Sequence, residues 1–144
     1  MSVYKHILVA VDLTEDSAAV VRRALEIARQ FQGRISLLHV VEFIPVDPAG
    51  EALLPSPVDL EGELLNGARQ RLDELCTQLG LGDTPHRVEV GSIKHEIVQA
   101  AAETKADLIV LGSRERHGLA LLMGSTEKSI LHKAPCDILA VRLN

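Results

Sequence analysis

Two stretches of the chain carry residue types able to hold an anion. One is Gly112-Ser113-Arg114-Glu115-Arg116-His117-Gly118, directly after an aliphatic run. The other is Gly124-Ser125-Thr126, which reads as the start of a helix. Glycine lets backbone N–H groups come close to an anion, and a helix N-terminus offers unpaired donors and a positive dipole end. Ser125 and Thr126 add hydroxyl donors, so the two pieces can be read as a phosphate cradle. The same residues also suit plainer roles: Gly112 as a strand end, Gly118 as a turn residue, Ser125 as an N-cap. Neither the Walker spacing nor Gly-x-Gly-x-x-Gly occurs. Asp12 closes the first aliphatic run. There a carboxylate can accept a ribose hydroxyl or hold magnesium near phosphates, or form a turn ahead of the first helix.

The remaining polar residues point away from catalysis. His39 lies inside a strand-like run and suits a hydrogen-bonded core position. His117 reads as a solvated loop residue, and Arg114, Glu115 and Arg116 as a solvated loop tip. His86, His95 and His132 show no metal-ligand spacing. The chain has no Gly-x-Ser-x-Gly elbow, no His-Glu-x-x-His and no recognisable Cys–His signature. No catalytic residue is assigned, and a binding module is expected over an enzyme.

These residues need a scaffold, and the hydrophobic pattern supplies one. Five aliphatic runs are expected as strands: Ile7–Val11, Ile35–Val41, His86–Val90, Leu108–Leu111 (stopping at Gly112) and Ile138–Val141. Helices are expected over Ser17–Phe31, broken by Gly33, and over Asp59–Leu79, with Leu60, Leu64, Ala68, Leu72, Leu75 and Leu79 inward. A third follows Ser92 as cap, with Ile93, Ile97, Ala100 and Ala101 inward. The last runs from Gly124 to Ala134, with Ile130, Leu131 and Ala134 inward. Pro45, Pro48, Pro55 and Pro57 make Glu42–Val58 a long irregular loop. Alternating strands and helices imply parallel pairing with right-handed crossovers in a doubly wound open sheet. Ligands bind such sheets beyond the carboxyl ends of the strands, which singles out Asp12, Val41, Gly91 and the Gly112 loop.

Composition agrees with a scaffold of this kind. The 144 residues fit one domain, 1–144, and are 47% apolar but only 2% aromatic, as expected for Val, Ile, Leu and Ala strands buried between helices. A net charge of −5 argues against steering toward nucleic acid. No apolar stretch is long enough to suggest a membrane span, and no secretory signal is visible, so a cytoplasmic location is expected. Cys76 and Cys136 form no Cys-x-x-Cys pair and read as inert structural thiols.

Taken together, the motifs resemble the universal stress protein family. Lys5-His6-Ile7-Leu8-Val9-Ala10-Val11-Asp12 is similar to that family's first strand and its aspartate, and Leu38-His39-Val40 to the end of its second. Asp107 to Ser113 and Ala134 to Val141 are similar to its last two strands. The resemblance covers nearly the whole chain except the proline-rich loop. It implies a five-stranded parallel open sheet with helices on both faces, Rossmann-like and of the adenine-nucleotide alpha-hydrolase type. It also implies a homodimer formed through the last strand, a role in stress response, and ATP or AMP as ligand, with magnesium accompanying the nucleotide.

By the same resemblance Ala10, Asp12, Val40 and Val41 would line the nucleoside part of the site. Gly112, Ser113, Gly124, Ser125 and Thr126 would face phosphates, and Asp12 would reach magnesium indirectly. Nucleotide-binding members carry Gly-x2-Gly-x9-Gly-Ser/Thr. Here Glu115 stands at the second glycine, only eight residues separate it from Gly124, and Arg114 stands where the family often has His. Glu115, flanked by Arg114 and Arg116, is expected to weaken polyphosphate binding and to cost the monophosphate least. Three functions remain open: a regulatory nucleotide-binding module, a slow nucleotide hydrolase, and a dimer that binds a protein partner without nucleotide.

Overall fold

The computed structural model describes residues 3–42, 57–114 and 130–143. Over these the chain runs β1 (His6–Ala10), α1 (Ser17–Phe31), β2 (Arg34–Val41), α2 (Pro57–Gln78), β3 (His86–Val90), α3 (Ile93–Thr104), β4 (Leu108–Arg114) and β5 (Asp137–Leu143). Every strand pairing is parallel, and the order across the sheet is β3-β2-β1-β4-β5. β1 therefore lies at the centre, with chain order reversing on either side of it. That reversal is the topological switch point of a doubly wound sheet, and it opens a crevice beyond the carboxyl ends of β1 and β4.

Both faces of the sheet are covered, so most strand residues are aliphatic in both directions. On one face Ile7, Val9, Leu37 and Val110 meet Val20, Val21 and Ala24 of α1 and Ala68, Leu72 and Cys76 of α2. On the other, Leu8, Leu38, Ile109 and Leu111 meet Ile97, Ala100 and Ala101 of α3, together with Ile130. Ile130 is helical, as are residues 131–133. At the amino ends of the strands, the Asp107 carboxylate accepts the backbone N–H groups of Lys5 (2.9 Å) and His6 (3.0 Å), which sets β4 against β1. Among the described residues no helix is long and apolar enough to cross a membrane.

Several local expectations need correction. β4 does not stop at Gly112: β5 pairs with it through Gly112↔Val141, Ser113↔Arg142 and Arg114↔Leu143, and this register carries the strand on to Arg114. α2 begins at Pro57, where a proline's missing N–H and fixed φ suit the first turn. Leu60 and Leu64 are each 43% exposed, and Leu131 is 64% exposed. Helical periodicity names a face but does not supply a neighbour for it.

Ser92 takes the N-cap position of α3, but its side chain makes no capping hydrogen bond. The left-handed residue ending α1 is Gln32 (φ 55°), not Gly33. Gly33 is needed for another reason, since a Cβ there would run into the carbonyl oxygen of Tyr4.

Candidate functional site

The crevice holds a cavity of about 400 Å³. Ala10, Val11 and Asp12 enter it from the end of β1, and Leu38, His39 and Val40 from β2. Ile93 and Ile97 of α3 form an aliphatic wall that Ile130 continues. Val20 of α1, Leu111 and Gly112 of β4 and Leu143 of β5 close the remaining side. Among the described residues aliphatic side chains dominate, and the polar side chains lining it are Asp12, Ser17 and His39. A mostly apolar concavity with a few fixed polar groups is what a small organic ligand needs: surface to bury and a few bonds that set its orientation.

The polar groups are held by a tightly tied loop. Asp12 Oδ1 accepts from the backbone N–H of Thr14 (3.1 Å), the Thr14 hydroxyl (2.7 Å) and the Ser17 hydroxyl (3.0 Å). The bond two residues on is the Asx turn that a short carboxylate favours. The turn-forming role weighed for Asp12 is thus present, and the carboxylate also lines the cavity. His39 Nδ1–H donates to the Val11 carbonyl at 2.8 Å. Because a carbonyl only accepts, Nδ1 carries a hydrogen in this contact.

Leu13 sits in the left-handed region at φ 61° yet is only 8% exposed. Such backbone costs about 1–3 kcal/mol for a bulky residue, whereas deleting a buried leucine side chain costs roughly 2–5 kcal/mol. Burial therefore outweighs the strain and keeps leucine at this position. The Leu13 carbonyl in turn accepts a hydrogen bond from the Arg71 guanidinium of α2.

The structure gathers some of the anticipated residues and separates others. Ala10, Asp12, Val40 and Gly112 line the one cavity. Val41 does not line it but packs against the core on the α1–α2 face, since alternate strand residues point to opposite faces. Ser113 is half-buried in β4 and is also absent from the lining. Arg114 ends β4, while Glu115, Arg116, Gly124, Ser125 and Thr126 lie outside the described residues.

Val11, Ser17, Val20, Leu38, Ile93, Ile97, Leu111, Ile130 and Leu143 line the cavity without having been singled out as site residues. In the sequence Ile93, Ile97 and Ile130 look like ordinary core positions. A strand order of 3-2-1-4-5 would have been the signal, because it fixes which element ends meet.

The described residues that line the cavity do not form a protein-held magnesium site. Asp12 is the one carboxylate among the described lining residues, and its Oδ1 already takes three donors. Among the described residues no three His, Cys, Asp or Glu side chains come together to hold a metal ion.

Comparison with known proteins gives a consistent picture. Residues 3–142 match the model of the universal stress protein family. Universal stress protein A homolog 1 of Coxiella burnetii is 40% identical over 138 residues, which is 96% of each chain. Among solved structures, universal stress protein UspA from Lactobacillus plantarum superposes with a TM-score of 0.70 at 27% identity, covering 96% of this chain and 98% of that one. A universal stress protein solved in complex with cAMP matches with a TM-score of 0.58 at 23% identity, over 96% of each chain.

Proposed function

Because this chain belongs to the universal stress protein family, we propose that it is a dimeric stress-response module whose cavity binds an adenine nucleotide as a regulatory ligand. The observation that carries the reading is the position and lining of the cavity. It lies at the switch point of the sheet, walled by Val40, Ile93 and Ile97 for a flat apolar base, with Asp12 and Ser17 at its polar edge. In this reading the base sits against the aliphatic wall and the ribose hydroxyls reach Asp12. The phosphate points toward Gly112, and any magnesium arrives with the nucleotide. The cAMP complex of a protein with the same fold lends support.

Calorimetry with AMP, ATP, cAMP and GMP tests the reading. The expected result is adenine-selective binding with Kd near the micromolar range, roughly −8 kcal/mol. Adding ligand at 100 times Kd should then stabilise the fold by about 2.7 kcal/mol. No heat and no shift in Tm with any adenine nucleotide sinks the proposal and leaves the partner-binding dimer. Phosphate release above background in the same samples would favour the hydrolase instead.

Dimerisation is proposed through β5. This strand pairs with β4 on one side, and among the described residues no strand lies beyond it. An open edge offers backbone groups that a second copy can satisfy by symmetry.

A further inference from the structure

Gly112 lines the cavity at the point where the proposed phosphate would lie. A Cβ built on it would stand 2.7 Å from Leu143 Cδ1 and 3.2 Å from Val20 Cγ2. The space that glycine leaves open is therefore filled by the protein itself. Its two fillers differ in freedom. Val20 is 3% exposed on α1, and its branched Cβ restricts it to few rotamers. Leu143 is half-buried, stands at the end of β5, and reaches the contact with the far end of a longer side chain. Of the two, Leu143 is the movable wall.

We propose that Leu143 sets the length of ligand this cavity accepts: packed over Gly112, it leaves room for a nucleoside monophosphate but must be displaced by a longer phosphate chain. This deepens the nucleotide reading and rests on it. Leu143 acts by excluding volume, so its contribution appears as selectivity between ligands that share a base and differ in tail length. The geometry also makes Gly112 and Leu143 a compensating pair. A methyl added at residue 112 takes the space of Leu143 Cδ1 and pushes that side chain aside, and shortening residue 143 returns the space.

The test uses wild type, Leu143→Ala, Gly112→Ala and the double variant, with two readouts: Tm without ligand, and calorimetric affinity for AMP and ATP. Leu143→Ala should raise ATP affinity about tenfold, or about 1.4 kcal/mol, and change AMP affinity by less than about twofold. Gly112→Ala should lower both Tm and AMP affinity, and the double variant should recover most of each loss. A general defect introduced at residue 112 would show no such recovery. If Leu143→Ala changes both ligands equally, the length rule fails while nucleotide binding stands. If the double variant melts no higher than Gly112→Ala, the contact itself is not limiting and the inference is overturned. If the pair compensates in Tm but neither wild type nor Leu143→Ala binds any adenine nucleotide, the functional reading has failed and the length rule fails with it.

Discussion

Arg71 reaches from α2 to the carbonyl of Leu13, a residue 58 positions away in the chain that directly follows Asp12, which lines the cavity. Its guanidinium holds a strained stretch of backbone in place, so its loss should be felt first in the loop. Arg71→Ala is expected to cost about 1–2 kcal/mol, toward the low end for a charge-assisted bond because the side chain is exposed. It should also speed exchange of the Thr14 amide, whose N–H is held on Asp12. Arg71→Lys should restore part of that protection, and unchanged Thr14 exchange in Arg71→Ala would remove the positioning role.

Two histidines should titrate with opposite signs. His86 donates from Nδ1 to the Thr84 carbonyl and from Nε2 to Asp73, each at 2.7 Å, and these bonds raise its pKa above the usual 6.5. Its stabilisation is then fully present below that usual value and is lost as pH rises through the raised one. His6 is buried between Thr104 and Ser36, and desolvation lowers its pKa. Stability from His6 falls as pH drops below about 6.5, because the unfolded chain takes up that proton first. Urea titrations of wild type and His86→Gln should differ more near pH 5 than near pH 8. A constant gap would refute the assignment.

The thiols are poorly reactive for a related reason. Burial, with help from Asp137 and Asp107, pushes Cys136 up to about 11, and burial also raises Cys76. Native labelling of either by a thiol reagent should be slow at neutral pH, with denaturant required for a fast reaction.

At the scale of elements, α2 shows what the hydrophobic pattern can and cannot reveal. Leu60, Leu64 and Leu72 lie on one helical stripe, and nothing in their spacing separates them. Leu72 is 1% exposed in the core, while Leu64 is 43% exposed. Leu72→Ala should therefore cost roughly 2–5 kcal/mol, and Leu64→Ala no more than about 0.5 kcal/mol, both read by urea denaturation. Equal losses would mean that the first turns of α2 pack more fully than described.

The five strands and the first three helices were legible because each is a local period in the chain, while most of the helix expected from Gly124 to Ala134 lies outside the described residues. The bounds of α1 and β3 match the residues expected for them. What was not legible depends on pairing across the sheet. β4 continues past Gly112 because β5 lies alongside it, and the described lining of the cavity comes from elements spread along the whole chain, from Ala10 to Leu143. Asp12 was legible as a strand-end carboxylate. Leu143 was not, because its role comes from the missing side chain of a residue on the neighbouring strand.

For the whole molecule, the β5 edge, beyond which no strand lies among the described residues, makes a measurable claim. Light scattering at micromolar concentration should return twice the chain mass, and a clean monomer would contradict pairing through Asp137–Leu143. Leu139→Pro, which removes a ladder donor and constrains the strand, should weaken that pairing.

The central place of β1 bears on how the chain comes off the ribosome. One neighbour, β2, follows within a single helix and loop, but the backbone of His6 meets Asp107 only across 101 positions. A nascent chain can assemble β1, β2 and β3 against α1 and α2 while the other edge of its first strand stays bare. Such an edge is open to wrong pairing until β4 emerges. The cavity also forms only when β4 and β5 arrive, so a ligand can reward only chains that include both strands. A fragment ending at Thr104 should therefore be protease-sensitive and show no response to nucleotide, and extending it through Leu143 should supply β4, β5 and the cavity residues they carry in one step.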